Sequence, residues 1–270
     1  MTYKEAVRIL TDAGIDSAQY DARELFCHIG GYTVGEILLA NPECGSAELA
    51  SAVARRAKRE PLQYIIGEVE FYRERYRVTP DCLIPRADTE ILVDYAVKHL
   101  PVGASFLDLC TGSGCVAIST LKNTLYTQAI AVDINGGALA IAAENAHING
   151  VEDRLHLRRT DLMNEVVEEK VFAVLSNPPY VSDEVYLGLE GEIFHEPREA
   201  FVGGVDGGDF YRHLTPIYKE NIAPDGFIAY EIGYDQAELL RAIAADCSMT
   251  CEIIKDLSGN DRVAVLKFKA

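Results

Sequence analysis

The residues best suited to chemistry form one short segment, called the tetrad below: Asn177, Pro178, Pro179 and Tyr180. Each proline fixes its own φ and lacks a backbone donor, so the nearby carbonyls are free to accept hydrogen bonds. Asn177 adds a side-chain carbonyl, and Tyr180 adds an aromatic face. A planar –NH2 group has two N–H donors and a flat surface. The tetrad therefore predicts a site for a planar amide or amino nitrogen.

Methyl transfer to such a nitrogen is the reaction that the tetrad best suits. An amide nitrogen is a poor nucleophile because resonance delocalises its lone pair, so catalysis would depend on orientation for in-line attack and on desolvation. No charged base is required beforehand, because the surplus proton becomes acidic once methylation has occurred. We predict that Asn177, Pro178 and Tyr180 are catalytic and that the whole tetrad binds substrate. The alternative is a simple Asn-Pro-Pro loop turn.

A glycine-rich turn after the apolar segment 105–109 is the second candidate site. Small residues let the backbone approach a ligand closely, and the start of a helix offers free N–H groups. Dinucleotide enzymes use a similar turn, so the glycines alone do not identify the ligand. An acid before the glycines favours the cationic amino-acid part of S-adenosyl-L-methionine, because it would repel a pyrophosphate. The turn residues predicted to bind this cofactor are Asp108, Cys110, Thr111, Gly112, Ser113 and Gly114.

Later strand ends supply the rest of the predicted cofactor site. Asp133 ends the apolar segment 129–133, where a carboxylate can accept hydrogen bonds from both ribose hydroxyls. Asp161 could approach the adenine amino group, although capping a helix is the alternative role. Leu162 would offer the base an apolar wall, and Asn177 of the tetrad completes the set. The predicted product is S-adenosyl-L-homocysteine.

The composition is that of a globular protein with an acidic body. The 270 residues carry a net charge of −17. Residues 1–85 hold 10 Lys/Arg and 13 Asp/Glu, whereas residues 86–270 hold 15 and 29. A negative body repels phosphate backbones at long range, which argues against a nucleic-acid substrate without excluding one. The basic run 55–59 and the alternating Arg73, Arg75 and Arg77 are local exceptions, either solvated faces or docking sites.

Targeting signals and cysteine usage indicate an ordinary intracellular protein. No apolar run approaches the roughly 18–20 residues of a membrane-spanning helix, and the N-terminus lacks the apolar stretch of a signal peptide. The seven cysteines are an odd number without a C-x-x-C pair, which is typical of buried thiols in a reducing compartment. We expect a cytoplasmic monomer that binds no metal and no membrane.

Hydrophobic spacing divides the chain into regions of different structure. Up to about residue 60, apolar residues at helical spacing predict a small bundle of short helices. Alternation over 68–79 predicts a strand pair or hairpin. From about residue 104, strand-like segments, glycine turns and helical segments repeat, which predicts an α/β fold with a mostly parallel sheet closed by an antiparallel hairpin. The segment 196–198 and the glycine-dense loop 203–208 suggest a flexible cover, with an ordinary loop as the alternative.

With these motifs in place, the chain resembles the peptide chain release factor N5-glutamine methyltransferases, the HemK/PrmC family. The tetrad is shared with other amino-methyltransferases. Two blocks are more specific to this family, P-L-Q-Y-I-I-G at 61–67 and L-I-P-R-A-D-T-E at 83–90. Further matching blocks, which extend the resemblance along nearly the whole chain, are 108–114, E-P-R at 196–198, 203–208, E-I-G at 231–233 and K-D-L-x-G at 255–259.

The resemblance implies three domains and one reaction. The expected domains are an N-terminal helical substrate-recognition domain at 1–66, a β-hairpin linker at 67–84 and, at 85–270, a Rossmann-like seven-stranded S-adenosylmethionine methyltransferase domain. The implied reaction methylates the side-chain amide nitrogen (N5) of the glutamine in the Gly-Gly-Gln motif of class I peptide chain release factors, which tunes translation termination. The same resemblance implies that residues 110–114, Asp133, Leu162 and Asn177 line the cofactor pocket.

Three positions depart from the family pattern. Cys110 stands where the family usually has glycine, so this position must tolerate a side chain. Ala87 replaces a common proline. Leu162 lies where an aromatic side chain often stacks on adenine, which bears on cofactor affinity rather than on reaction type.

Other functions remain open from the sequence. An amino-methyltransferase for adenine or guanine of nucleic acid would need a basic groove beside the tetrad, yet residues 181–210 hold eight acids against the single Arg198. Methylation of glutamine in another protein is equally compatible with the tetrad. A dehydrogenase fits less well, because the chain lacks a nicotinamide-type G-x-G-x-x-G. A non-catalytic binding module would leave the tetrad unexplained.

Overall fold

The computed structural model describes residues 1–189 and 191–269, which form two compact units. The first unit comprises residues 1–68 and 191–195, and the second comprises residues 69–189 and 196–269. The finer division into domains at 1–66, 67–84 and 85–270 stays a prediction. No helix in the described part of the chain is long and apolar enough to cross a membrane.

The first unit contains five short helices, as the helical spacing predicted: α1 (Tyr3–Asp12), α2 (Ala18–His28), α3 (Val34–Ala40), α4 (Ala47–Arg56) and α5 (Leu62–Ile66). Local capping explains where two of them begin. Thr2 and Glu5 form a reciprocal capping box at α1, and Thr33 and Glu36 form another at α3, which satisfies N–H groups that a helix start leaves free. Fully buried side chains such as Leu25 form the centre of the bundle.

The basic run 55–59 is largely used inside the first unit. Arg56 is 4% exposed, and its Nε donates to Asp21 Oδ2 at 2.6 Å. Its Nη2 donates to Glu192 Oε1 at 2.7 Å. Arg55 pairs with Glu60. A docking role for Arg56 is therefore wrong, because the guanidinium is buried and already paired.

The predicted hairpin consists of β1 (Glu68–Phe71) and β2 (Glu74–Arg77), and from residue 69 onwards it belongs to the second unit. Its two loop residues, Tyr72 and Arg73, have positive φ values of 51° and 67°, as a type I′ turn requires. The Tyr72 backbone N–H donates to Glu90 Oε1 at 2.8 Å, and its phenol donates to Asp94 Oδ1 at 2.6 Å. These bonds hold the turn although neither residue is the usual glycine or asparagine.

A seven-stranded sheet with the order β5-β4-β3-β6-β7-β9-β8 forms the body of the second unit. Every neighbouring pair from β5 to β7 is parallel, and β9 is antiparallel to both β7 and β8. The predicted fold class is confirmed. The strands are β3 (Ser105–Leu109), β4 (Gln128–Asp133), β5 (Leu155–Arg159), β6 (Val171–Ser176), β7 (Ile222–Glu231), β8 (Met249–Lys255) and β9 (Asp261–Phe268). The helices are α6 (Glu90–His99), α7 (Cys115–Lys122), α8 (Gly136–Asn149), α9 (Asp183–Leu187), α10 (Asp209–Tyr218) and α11 (Ala237–Asp246).

The central parallel strands β3 and β6 are apolar on both faces because helices cover both sides of the sheet. Consecutive residues of β3 show this, since Phe106 packs in one hydrophobic cluster and Leu107 in the other. Both side chains are fully buried. This double burial explains why these central strands are nearly continuous apolar runs in the sequence rather than alternating ones.

The chain order reverses between β3 and β6, which are neighbours in the sheet. The chain adds β4 and β5 on one side of β3 and then returns to place β6 on the other side. In open α/β sheets, the carboxyl ends of the two strands at such a reversal border a crevice. Here β3 leads into the glycine-rich turn and β6 leads into the tetrad. The topology therefore brings the two predicted sites together.

Candidate functional site

A cavity of about 210 Å³ lies at this edge of the second unit. The cavity joins most of the residues predicted from the sequence, and the ones that line it are Cys110, Thr111, Gly112, Ser113, Asp133, Asp161, Leu162, Asn177 and Pro179. Four predicted residues, Asp108, Gly114, Pro178 and Tyr180, are outside the described lining. Additional wall comes from residues 81–89 and 197–200 and from Phe210.

Left-handed backbone shapes the glycine-rich turn. Cys110, Gly112 and Gly114 have φ values of 60°, 55° and 83°. A non-glycine residue in this conformation costs about 1–2 kcal/mol, which explains why glycine suits position 110. A Cβ at Gly114 would lie 2.8 Å from Ile118 Cδ1 and 3.1 Å from Ala142 Cβ, so close helix packing also requires glycine there.

Asp133 links the glycine-rich turn to the end of β4. Its Oδ2 accepts from the Gly112 N–H at 2.8 Å, and its Oδ1 accepts from the Asn135 N–H at 2.9 Å. Burial raises the pKa of Asp133, while these backbone hydrogen bonds oppose the rise. Each oxygen has a second lone pair, so a carboxylate at the cavity wall can still accept hydrogen bonds from a ligand.

Asp108 supports the turn from behind instead of lining the cavity. The carboxyl is 1% exposed, and its Oδ2 accepts from Thr111 Oγ1 at 2.6 Å and from the Ala117 N–H at 3.1 Å. Burial raises the pKa of Asp108 to about 7. Both hydrogen bonds use the same oxygen, so the second oxygen can carry a proton without loss of either bond.

Asp161 and Leu162 lie together at the cavity wall. The Asp161 carboxylate closes a turn, since Oδ1 accepts from the Met163 N–H at 3.1 Å and Oδ2 accepts from Asn164 Nδ2 at 2.8 Å. Leu162 is 5% exposed and belongs to the apolar cluster on its face of the sheet. Ile134 adds a further apolar side chain to the same cavity.

Two side chains of the tetrad are held by distant parts of the sequence. Asn177 Nδ2 donates to Thr89 Oγ1 at 3.2 Å, and Asn177 Oδ1 accepts no hydrogen bond from any residue that the structure describes. The phenol of Tyr180 donates to Glu231 Oε1 at 3.1 Å. Burial raises the pKa of Tyr180, and Glu231 raises it further. The tetrad thus keeps a carbonyl acceptor available at the cavity.

The glycine-dense loop supports the tetrad backbone, so its interpretation as a flexible cover is wrong. A Cβ at Gly203 would lie 2.3 Å from the Pro179 carbonyl oxygen, and one at Gly207 would lie 2.1 Å from the Tyr180 carbonyl oxygen. The Gly203 N–H donates to the carbonyl of Val181 at 2.9 Å. Glycine is required here because the loop backbone packs directly against the tetrad backbone.

The motif blocks 83–90 and 196–198 meet beside the cavity. Glu196 is buried, and its Oε2 accepts from the Ile84 N–H at 2.9 Å. Its other oxygen pairs with the guanidinium of Arg86, and Arg86 and Thr89 line the cavity. The sequence showed these blocks as motifs but gave no role for Thr89, Arg86 or Glu196, because the partners lie far apart along the chain.

The acidic segment after the tetrad is less negative than its composition suggests. Within the second unit, Asp183 pairs with Arg198, and Glu196 pairs with Arg86. Asp206 and Asp209 both pair with Arg212. In the first unit, Glu192 pairs with Arg56. Glu190, another of the counted acids, lies outside the described residues. Five of the seven described acids therefore have an arginine partner, so the charge argument against a nucleic-acid substrate is weaker than the sequence count alone implied.

Sequence comparison identifies relatives along almost the whole chain. Residues 2–67 match the family described as the PrmC N-terminal domain, and residues 87–204 match the Methyltransferase small domain. The release factor glutamine methyltransferase of Thermodesulfovibrio yellowstonii is 37% identical over 92% of this chain and 91% of its own length. The enzyme of the same name from Geobacter sulfurreducens is 36% identical over 94% of this chain and 91% of its own length.

Structural comparison agrees on the fold. The ribosomal protein L11 methylase of Lactobacillus delbrueckii subsp. bulgaricus aligns with a TM-score of 0.51 at 21% sequence identity. The alignment covers 72% of this chain and 86% of that protein. At this level of identity the likeness concerns the fold alone.

Proposed function

The chain belongs to the release factor glutamine methyltransferase family, and from that premise we propose that it transfers a methyl group from S-adenosylmethionine to the side-chain N5 of a glutamine held by the tetrad. One observation supports this most directly. The tetrad and the glycine-rich turn border one cavity at the reversal point of a parallel sheet. A methyl donor and an amide acceptor must meet in such a shared space.

The residues of the cavity fit S-adenosylmethionine. We propose that the turn 110–114 cradles its amino-acid part, because the left-handed backbone at Cys110, Gly112 and Gly114 and the small residues of the turn let the main chain approach a ligand closely. Asp133 would accept the ribose hydroxyls through its remaining lone pairs. Leu162 and Ile134 would contact the adenine ring, and Asp161 would face its amino group. When bound, this cofactor supplies an electrophilic methyl group.

Asp108 receives a different role from the one that the sequence suggested. Its carboxyl is engaged with Thr111 and the start of α7, so we propose that it fixes the shape of the cofactor turn from behind. Burial raises its pKa to about 7, which keeps much of the carboxyl neutral near physiological pH. A neutral group attracts the cationic part of the cofactor less strongly than a carboxylate would.

The tetrad would hold the glutamine amide as a planar –NH2 group. Asn177 Oδ1 is free to accept one N–H, because the Nδ2 of the same side chain is fixed by Thr89. A carbonyl near the prolines would accept the second N–H, and the ring of Tyr180 would pack on the amide plane. Two acceptors and one flat face direct the nitrogen lone pair towards the methyl donor, and exclusion of water favours attack.

The proposed macromolecular substrate is a class I peptide chain release factor with a Gly-Gly-Gln motif. Support comes from the relatives, which carry the name release factor glutamine methyltransferase and match this chain over both compact units. We propose that the helical unit contributes to recognition of that protein. A cytoplasmic location and a monomeric state stay predictions. Methylation of a nucleic-acid base is the second candidate, since a base also presents a planar –NH2 group.

The test is transfer of label from tritiated S-adenosylmethionine. A purified class I release factor, its variant with alanine in place of the motif glutamine, tRNA and duplex DNA are each incubated with the enzyme. We expect label in the unmodified release factor only. Label in tRNA or DNA would favour the second candidate, and label in the alanine variant would show that the motif glutamine is not the acceptor.

A further inference from the structure

A buried carboxylate lies directly behind the tetrad. Glu231 is 1% exposed at the end of β7, and its Oε1 accepts from the Tyr180 phenol at 3.1 Å. Its Oε2 is also buried and has no hydrogen-bond partner in the part of the chain that the structure describes. Burial of a carboxylate oxygen without a partner is costly, so stability alone does not explain an acid at this position.

Thr89 gives this carboxylate a second connection to the tetrad. The side chain of Thr89 is buried, and its Oγ1 accepts from Asn177 Nδ2 at 3.2 Å. Burial raises the pKa of Glu231, and the hydroxyls of Thr89 and Tyr180 oppose that rise. A hydroxyl that accepts from an amide has its own hydrogen available for an acceptor nearby. Glu231 therefore accepts from the Tyr180 phenol of the tetrad and lies near the Thr89 hydroxyl that Asn177 contacts, although no Thr89–Glu231 hydrogen bond is formed.

Arg262 anchors the other side of this cluster. Its Nη2 lies 3.2 Å from Asp88 Oδ2 and 3.3 Å from Asp256 Oδ2. Asp88 is the residue before Thr89, so this ion pair also fixes the chain segment that holds Asn177. The guanidinium therefore pairs with two acids, and its positive charge also lowers the pKa of Glu231, which lies opposite Val263 on the neighbouring strand. Three acids, Asp88, Asp256 and Glu231, therefore accompany one guanidinium behind the tetrad.

We propose that Glu231 is a positioning residue for methyl transfer, which orients the Tyr180 ring through its phenol and the Asn177 amide through Thr89. This inference rests on the proposed function, because it assumes that the tetrad holds the substrate amide. A carboxylate at this position also suits the reaction. Positive charge develops on the acceptor nitrogen as the methyl group arrives, and an aromatic ring whose phenol donates to a carboxylate stabilises such charge better.

The proposal joins three motif blocks for which the cavity alone gave no common role. Asp88 and Thr89 belong to the block 83–90, Glu231 begins E-I-G, and Asp256 belongs to the block 255–259. The structure brings all of them within one side-chain cluster behind Tyr180 and Asn177.

A double-mutant cycle tests the proposal with the full-length enzyme, S-adenosylmethionine and a class I release factor. Glu231→Gln and Tyr180→Phe should each lower kcat by about 10–100-fold, the range for a hydrogen bond to a charged group. The KM for S-adenosylmethionine should stay within about twofold of wild type. The double variant should be no slower than the slower single variant, because both changes remove the same interaction.

Tyr230→Phe is the matched control. This residue precedes Glu231 on the same strand, is equally buried, and loses only a hydroxyl that contacts Thr215. It should keep the wild-type kcat. Wild-type kcat in Glu231→Gln, or losses that multiply in the double variant, would overturn the proposal.

If thermal unfolding shows that Glu231→Gln does not fold, Tyr180→Phe decides alone. A selective loss of kcat in that variant supports the proposal, and full activity overturns it. A wild-type enzyme that labels no release factor would instead overturn the proposed function, and this inference with it.

Discussion

Comparison of Gly207→Ala with Gly103→Ala should distinguish the cost of backbone strain from the effect of displacing the tetrad. Gly207 has φ of +75°, and an added Cβ would lie 2.1 Å from the carbonyl oxygen of Tyr180. Gly103 provides a matched control, because it has the same φ of +75° and nothing lies within 4 Å of its Cβ position. Both substitutions incur the cost of a left-handed alanine, but only Gly207→Ala meets the tetrad backbone.

The expected magnitudes follow from this geometry. A left-handed alanine costs about 1–2 kcal/mol, which should be the whole loss in Gly103→Ala. Gly207→Ala adds an overpacking cost of about 1–3 kcal/mol, so its free energy of unfolding should fall by roughly 2–5 kcal/mol. A side-chain Cβ essentially never lies within 3.0 Å of a non-bonded heavy atom, so the tetrad backbone must move by about 1 Å to accept the alanine. A displacement of that size lowers kcat by about 100-fold.

Urea denaturation and steady-state methyl transfer measure the two effects separately. The free energy of unfolding is obtained for wild type and for both alanine variants, and kcat is measured with both substrates saturating. Equal stability and wild-type turnover in Gly207→Ala and Gly103→Ala would refute the claim that the glycine loop supports the tetrad.

Three further predictions concern the cofactor turn, the tetrad and the helical unit. Asn177→Ala should abolish methyl transfer yet leave the fold and most cofactor binding intact. Circular dichroism measures the fold, and calorimetric titration with S-adenosylmethionine measures cofactor binding. Wild-type turnover in this variant would contradict the tetrad mechanism. The pKa of Asp108 is raised by burial to about 7, so the folded state binds an extra proton between about pH 4 and pH 7 and loses stability as the pH rises through that window. As the pH rises through that window, the free energy of unfolding of Asp108→Asn should therefore increase by a few kcal/mol relative to wild type. Urea denaturation at several pH values measures this difference. A difference between the two proteins that does not change with pH would refute the claim that Asp108 is a buried neutral carboxyl. Arg56→Ala should lower the free energy of unfolding by about 3–5 kcal/mol, because it leaves Asp21 buried and unpaired. The control Arg55→Ala should lower it by under about 1 kcal/mol, because the Arg55–Glu60 pair is more exposed. Equal losses in the two variants would contradict the burial of Arg56.

The sequence was sufficient to predict nine residues of the cavity wall, because their positions depend on short-range patterns. Each predicted strand ends where polar or glycine residues begin, and parallel strands place all such ends at one edge of the sheet. Cys110, Asp133 and Asn177 were found in this way. Short-range patterns could not predict the hydrogen bonds between distant residues. Thr89 lies 88 residues from Asn177, and Glu196 lies 110 residues from Arg86.

Two errors have the same physical origin. Loop 203–208 was interpreted as a cover because glycine indicates freedom in a sequence, whereas its backbone packs against Pro179 and Tyr180. Arg56 was grouped with an exposed basic run because its neighbours are charged, although it pairs with Asp21. A glycine can permit motion or permit close backbone packing, and an arginine can be exposed to solvent or buried in an ion pair. Only the surrounding atoms decide which role applies.

The chemical form of the transferred methyl group is the most direct measure of the central claim. A release factor is labelled with tritiated S-adenosylmethionine by the wild-type enzyme and hydrolysed in acid, and the volatile products are separated. A methyl group on an amide nitrogen leaves as tritiated methylamine, which is the predicted result. Tritiated methanol would indicate a methyl ester, and label retained on the amino acid would indicate another acceptor atom. Either result would contradict a tetrad that acts on a planar amide nitrogen.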